Sequence, residues 1–332
     1  MIRTALLSRW HVHADDYAKE ALKNDNVKLV AVWDEDASRG AQFAEDYNLS
    51  YIASLDELLQ QDDIDAVIVT TPTAHHPRII REALVQGKHV FTEKVLALSV
   101  ETCKALYQLA DDNHVQLMVS LPRLSSPVVQ YAQAAVANGW LGQLHTVRCR
   151  VHHDGALVSN ANPTGWLPSD FFREDLCGGG AFVDLGAHPI YLCNRFGGNP
   201  LALSARLASL LGHPVDDHAV AMVTYESGVI GMMEAGFISG VGQFVLELHG
   251  TVGSLLIEDE TARLRSLALG QNAFVPVTDL PEALPTPMVQ WIDAIQHGTM
   301  PIVTRGDVLK LTAVNEAARQ SSEQSRQISV AF

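Results

Sequence analysis

From Arg3 to Ser120 the chain alternates short apolar runs with longer amphipathic ones. The runs Arg3–Ser8, Val27–Trp33, Ile64–Thr70, His89–Phe91 and Val115–Ser120 are brief and bounded by polar residues, the mark of buried strands. Between them, Ala14–Lys23, Ser38–Tyr47, Ser54–Gln60, Pro77–Gln86 and Val100–Asn113 read as helices. Ser54 with Glu57 has the spacing of a capping box, and Gly87 closes the fourth helix. Strands alternating with helices predict a parallel sheet covered on both faces. Such sheets bind ligands at the carboxyl ends of their strands.

The pattern then changes. Ser125–Asn138 is helical, and Leu144–His153 alternates apolar and polar positions as a half-buried strand does. A helix is expected from Ala181 to Phe196. Strands follow at Ala202–Leu211, His218–Tyr225, Val229–Gly236, Phe244–Gly250 and Gly253–Glu258, with Ser227-Gly228 as a hairpin turn. Met288–His297 and Arg305–Gln320 are the last helices. A chain of 332 residues is too long for one ordinary core, so two domains are expected.

Composition narrows the partners. The net charge of −15 argues against nucleic acid or an anionic membrane surface. No apolar run approaches the ~20 residues of a membrane span, and the N-terminus turns polar too soon for a signal peptide. Cys103, Cys149, Cys177 and Cys193 show no paired spacing, which predicts reduced thiols and a cytoplasmic protein.

Candidate chemistry sits in three places. The first is Gly178-Gly179-Gly180-Ala181-Phe182-Val183-Asp184-Leu185-Gly186-Ala187-His188. Asp184 and His188, four apart, share one face if the stretch is helical. A carboxylate beside an imidazole suits proton transfer near neutral pH. The second is the set of strand ends: Asp34, Thr71-Pro72, His76 and Glu93-Lys94. Asp34 is placed to accept hydrogen bonds from a ribose. The third is the first turn, Ser8-Arg9-Trp10-His11-Val12-His13, where a dinucleotide fold has Gly-x-Gly-x-x-Gly and this chain has no glycine. Bulky side chains keep the amides of Trp10 and its neighbours away from a pyrophosphate. Ser8 and His11 would then hydrogen-bond phosphate oxygens, and Arg9 would add charge. His152, His153 and Asp154 do not make a metal site, because adjacent strand residues point to opposite faces; no metal is expected.

These pieces, in order, resemble the glucose-fructose oxidoreductase, inositol dehydrogenase and rhizopine-catabolism (Gfo/Idh/MocA) family. The matching runs are Ala31-Val32-Trp33-Asp34, Thr71-Pro72-Thr73-Ala74-His75-His76, Gly87 to Lys94, and Gly178 to His188. Weaker echoes are Arg123 with Pro127, Gly139-Trp140-Leu141-Gly142 and Asp217-His218-Ala219. The resemblance implies an α/β chain: an N-terminal Rossmann domain with a parallel sheet, residues 1–121, and a C-terminal α/β domain, residues 122–332, with a large, open, mostly antiparallel sheet. It implies bound NAD rather than NADP, since Asp34 would oppose a 2′-phosphate, and a small sugar or polyol substrate. It also implies a homodimer or homotetramer packed through the C-terminal sheet.

By position, Lys94 matches the lysine that touches both nicotinamide and substrate, and Asp184 and His188 match the acid/base pair. Thr71, Pro72, His76 and Glu93 match cofactor-lining positions, joined here by the first-turn residues Ser8, Arg9, Trp10 and His11. Arg123 and His153 are expected at the substrate. So are Trp166 and Arg173, from a polar and aromatic loop that also holds Asn160 and Asn162, since sugars bind to aromatic faces and guanidinium donors. Three positions depart from the family pattern: the glycine-free turn; Val95 in place of a proline, which would relax the lysine's loop; and Tyr191 in place of an acid three residues after His188. The leading expectation is an NAD(H)-dependent oxidoreductase. An NAD-dependent glycosidase or lyase working by transient redox, and a sensor that binds nucleotide or sugar without turnover, are the alternatives.

Overall fold

The structure, a computed structural model, describes residues 1–159, 163 and 165–332. Asn160 and Asn162 lie outside the described residues. The chain divides into two compact units: residues 1–121 with 285–305, and residues 122–284 with 306–332.

The first unit is built on six parallel strands: β1 (Ile2–Leu7), β2 (Val27–Trp33), β3 (Ser50–Tyr51), β4 (Ala66–Val69), β5 (His89–Thr92) and β6 (Leu117–Val119). Their order, β3-β2-β1-β4-β5-β6, is that of a Rossmann sheet. The order reverses between β1 and β4, which places the binding crevice beyond the ends of those two strands. Helices α1 (Ala14–Leu22), α2 (Ala37–Tyr47), α3 (Leu55–Leu59), α4 (His76–Val85) and α5 (Val100–Asp112) connect them. Each amphipathic run buries the expected stripe; α4, for example, turns Ile79, Ile80, Ala83 and Leu84 inward. Asp36, Ser54 and Ser99 cap α2, α3 and α5 by accepting the backbone N–H three residues on. The helix Pro287–His297, which its place in the chain would assign to the second domain, packs here. Its fully buried Trp291 lies against Phe91 of β5, ring centroids 5.6 Å apart, and an indole of that size finds its apolar partner on this sheet.

The second unit holds helices α6 (Pro127–Ala137), α7 (Glu174–Cys177) and α8 (Ala187–Gly197), and the long helix Arg305–Gln324. Its sheet has nine strands: β7 (Leu144–His152), β8 (Pro200–Ala208), β9 (His218–Tyr225), β10 (Ile230–Gly236), β11 (Gln243–Gly250), β12 (Gly253–Glu258), β13 (Thr261–Ser266), β14 (Val275–Pro276) and β15 (Ile328–Ser329). All neighbours are antiparallel except β7 and β10. One face buries Val147, Cys149, Ala221, Val223 and Met233, with α8 packed over β7 and β10. The other exposes Val220, Met222, Ile230 and Met232, with Met222 directly opposite Met232. Beside this apolar strip, Arg148 and Arg150 both bind Glu234, at 2.6 and 3.0 Å. Among the described residues no helix is long and apolar enough to cross a membrane.

Candidate active site

The first turn keeps the backbone of a glycine turn without its glycines. Ser8 follows β1 with φ +77°, in the left-handed region that glycine enters freely and serine does not. It is held there from both sides: its N–H donates to the Trp33 carbonyl, and its Oγ accepts the Trp10 N–H at 3.0 Å. Other amides of the turn are also engaged. Arg9 donates to Asp34, His11 to the Thr70 carbonyl, and His13 to Nδ1 of His11. The Arg9 guanidinium is bound by Asp15 (2.8 Å) and Asp46 (2.5 Å) and lies over the Phe43 ring. It is thus neutralised by carboxylates within its own unit. Asp34, at the end of β2, accepts four hydrogen bonds: from the N–H groups of Arg9 and Asp36 and, at two atoms, from the Arg39 guanidinium. Arg39 is a site residue that the sequence motifs do not single out; the available signal is its place five residues after the acid, on the first turn of α2.

The ends of β4 and β5 are tied together by His76. Its Nδ1 faces the Val95 carbonyl at 2.8 Å and its Nε2 the Thr71 carbonyl at 3.1 Å. Burial lowers this imidazole to about 4, outweighing both carbonyls, so near pH 7 the ring is neutral and donates to one of them at a time. Val95 is buried, and its carbonyl is part of this tie. The loop after Lys94 is therefore packed rather than relaxed. Glu93 is almost fully buried and binds the His13 ring (Nδ1, 2.5 Å), the Tyr17 hydroxyl (2.9 Å) and the Lys94 N–H (2.5 Å). Burial alone would raise its pKa; Lys94, His11 and His13 outweigh that and hold it well below the usual carboxylate range. Lys94 itself is 4% exposed.

In the second unit the triple glycine runs against residue 216. A Cβ on Gly180 would lie 1.9 Å from the Asp216 carbonyl oxygen, and the Asp216 carboxylate accepts the N–H groups of Gly180 and Phe182. At Gly186 a Cβ would meet the Phe182 carbonyl at 2.2 Å, and its N–H reaches five residues back to Ala181. This tight turn delays the helix: α8 starts at Ala187, not Ala181. Asp184 therefore sits in the turn and His188 in the first turn of α8, rather than together on one helical face. His188 is 8% exposed, and its Nδ1 is 2.9 Å from the Tyr191 hydroxyl. That hydroxyl also accepts the Arg123 N–H at 3.2 Å, and the Arg123 guanidinium lies over the Phe244 ring.

His153 and Trp166 come together, ring centroids 4.7 Å apart, with His153 stacked on Phe237. The Trp166 indole donates to Asp154. Arg173 is on an exposed surface, bound to Asp175 at 2.6 Å.

The first unit fits a dinucleotide in specific ways. The hydroxyl of Thr71, at the end of β4, is buried without a hydrogen-bond partner among the described residues. No side chain caps the N-terminus of α1, which leaves the N–H groups of Asp15 and Asp16 for a phosphate, although the two carboxylates of that turn oppose it. Residues 8–121 match the model of an oxidoreductase family with an NAD-binding Rossmann fold, and residues 129–256 match a Gfo/Idh/MocA C-terminal domain. The chain belongs to the Gfo/Idh/MocA family. Family relatives include an inositol 2-dehydrogenase of Rhizobium meliloti, 26% identical over 95% of both chains. An NAD(+)-dependent scyllo-inositol 2-dehydrogenase of Bacillus subtilis is 26% identical over 89% of this chain and 86% of its own. Among solved structures, levoglucosan dehydrogenase in complex with NADH and levoglucosan superposes with a TM-score of 0.85 over 99% of both chains, at 21% identity. As a Gfo/Idh/MocA protein the chain is an oxidoreductase with an NAD-binding Rossmann domain.

Two expectations follow for this family member. Ser8→Gly relieves the left-handed strain but removes the Oγ bond, whereas Ser8→Ala loses the bond and keeps the strain; the alanine variant should be the less stable by about 1 kcal/mol in urea unfolding. His76 sets a pH term. The folded ring stays neutral down to about pH 4, while the unfolded ring gains its proton below about 6.5. That stability is intact above pH 6.5 and is lost as pH falls towards 4, by up to about 3 kcal/mol. Urea unfolding across this range should show the loss in the wild type, and His76→Gln should flatten it.

Proposed function

We propose that this chain moves hydride between NAD and a hydroxyl-bearing carbon of a sugar, inositol or related ring polyol, with His188 exchanging the hydroxyl proton. The observation that carries this reading is His188 itself: a nearly buried imidazole held at Nδ1 by Tyr191, at the family position, four residues after Asp184. NAD, when bound, supplies the hydride acceptor or donor.

With Nδ1–H donated to the Tyr191 oxygen, Nε2 of His188 presents a lone pair and takes the proton as the hydroxyl is oxidised. In the reduction the imidazolium, still donating Nδ1–H to the Tyr191 oxygen, returns the Nε2 proton to the substrate oxygen and is left neutral. Asp184 orients the imidazole or shares its role. Lys94, a buried cation, stabilises the alkoxide that forms as the proton leaves. Thr71, Pro72, Asp34 and the uncapped end of α1 hold the cofactor. Arg123, His153 and Trp166 are assigned to the substrate, whose ring would lie on the aromatic faces. A requirement for added NAD in each turnover separates a dehydrogenase from a glycosidase or lyase that recycles its own. Turnover of any polyol separates both from a sensor.

The exposed Val220, Met222, Ile230 and Met232 strip is assigned to a subunit contact, giving a homodimer or homotetramer. Light scattering of the wild type should show that state, and Met222→Glu with Met232→Glu should reduce it to monomer. The four cysteines are buried and unbridged, and burial pushes the Cys177 thiol up to about 12, as fits inert thiols in the cytoplasm.

Catalysis is tested by substitution. His188→Ala and Lys94→Ala should each lower kcat by about 10²–10⁴-fold, and His188→Ala should still bind NAD in calorimetry. Asp184→Asn should cost less. Tyr191→Phe should lower kcat and move the pH–rate profile, because it removes the partner of Nδ1. If His188→Ala turns over a polyol panel as fast as the wild type, the assignment fails.

A further inference from the structure

We propose that His11, His13 and Glu93 form a binding site for a divalent transition-metal ion of the zinc class. Among the described residues this is the one place where three such donors converge, with their ligating atoms all within 4.8 Å of one another. Glu93 Oε1 is 2.5 Å from Nδ1 of His13 and 3.7 Å from Nδ1 of His11, and the two imidazole rings are 4.8 Å apart. Donors around a four-coordinate zinc at bond lengths of about 2.0–2.2 Å sit roughly 3.3 Å from each other. His11 is already near that spacing from Glu93. Binding would lengthen the His13–Glu93 contact by rotation of the half-exposed His13, and would replace the hydrogen bond that His11 Nδ1 accepts from the His13 N–H.

The donor chemistry matches. Two imidazoles and one carboxylate are a recurrent set for zinc and for ferrous iron, and three protein ligands leave a position open for water. The carboxylate is fixed from outside the set: the Tyr17 hydroxyl binds the same oxygen at 2.9 Å, and the Lys94 N–H binds the other. Such outer hydrogen bonds orient a metal ligand and raise affinity. Access is provided as well. His11 and Glu93 side chains are 4% and 2% exposed, while His13 is 42% exposed, so an ion enters from the His13 side and keeps water there. An ion here would link the glycine-free first turn to the end of β5, the two segments that supply its ligands.

His11 and Glu93 are also cofactor-lining positions by the family resemblance, but the test of the metal site needs neither cofactor nor substrate. Chelator-treated full-length protein is titrated with Co²⁺ and read by visible absorption, then challenged with Zn²⁺. The expected result is one Co²⁺ per chain with the strong absorption of a site of low coordination number, displaced by Zn²⁺. His13→Ala, at a half-exposed position, should abolish that signal while far-ultraviolet circular dichroism stays unchanged. Tyr17→Phe, which removes only a hydrogen bond to Glu93, should weaken affinity by about 10–100-fold. Equal Co²⁺ binding by wild type and His13→Ala, or no uptake by the wild type, would overturn the site and leave a hydrogen-bonded cluster.

Discussion

Glu93 is a charge in a place that water hardly reaches, and much of the first unit is arranged to hold it. An unmatched buried carboxylate costs several kcal/mol. Here every matching group shown belongs to the same unit: His13 from the first turn, Tyr17 from α1, and the Lys94 N–H from the end of β5. This requirement makes sense of the missing glycines. A glycine at position 13 could approach a phosphate but could not reach Glu93. The turn gives up part of its backbone cradle for side chains that join β1, α1 and β5, and Ser8 keeps the left-handed geometry at a cost of about 1 kcal/mol. Lys94, next in sequence to Glu93, is positioned as a consequence.

Tyr191 solves a similar problem in the second unit by other means. A carboxylate beside His188 would need its own compensation in the core and would accept only, fixing the proton on Nδ1. A phenol is neutral, is buried at lower cost, and donates or accepts with equal ease. Its oxygen accepts Nδ1–H from the neutral and the protonated imidazole alike, so one contact holds His188 while Nε2 gains or loses the proton. The Arg123 N–H on the same oxygen keeps the hydroxyl in place while its hydrogen turns.

Strand–helix alternation makes the parallel sheet legible in the sequence, because buried strands and amphipathic helices differ in period. The strands β7 to β12 are legible for the same reason. β13 is not: Thr261-Ala262-Arg263-Leu264-Arg265-Ser266 alternates correctly, but only Ala262 and Leu264 supply apolar positions. β3, β14 and β15 have two residues each, too few to carry a period. At the site, residue types mark Lys94, Asp184 and His188 as candidates, yet spacing misplaces the start of α8. Gly180 and Gly186 are selected by close backbone contacts with Asp216 and Phe182, and such contacts leave no periodic trace. The same holds for the bonds of Arg9 to Asp15 and Asp46, which depend on which helix faces which strand.

Asp34 shows how an isolated residue can be read too simply. At the end of β2 it looks like the acid that takes a ribose, but each of its oxygens already accepts two hydrogen bonds. Two of the four donors are backbone N–H groups that close the first turn and start α2; losing them would open the unit's own frame. The other two belong to the Arg39 guanidinium, about 29% exposed, which can leave without breaking the backbone. α2 approaches closely enough for this pair only because Gly40 has no Cβ: one would lie 2.7 Å from that of Asp34. A ribose hydroxyl reaching Asp34 would thus compete with Arg39 rather than with water. Any preference between the two dinucleotides exerted at this strand end would therefore depend on the Asp34–Arg39 pair and not on the acid alone.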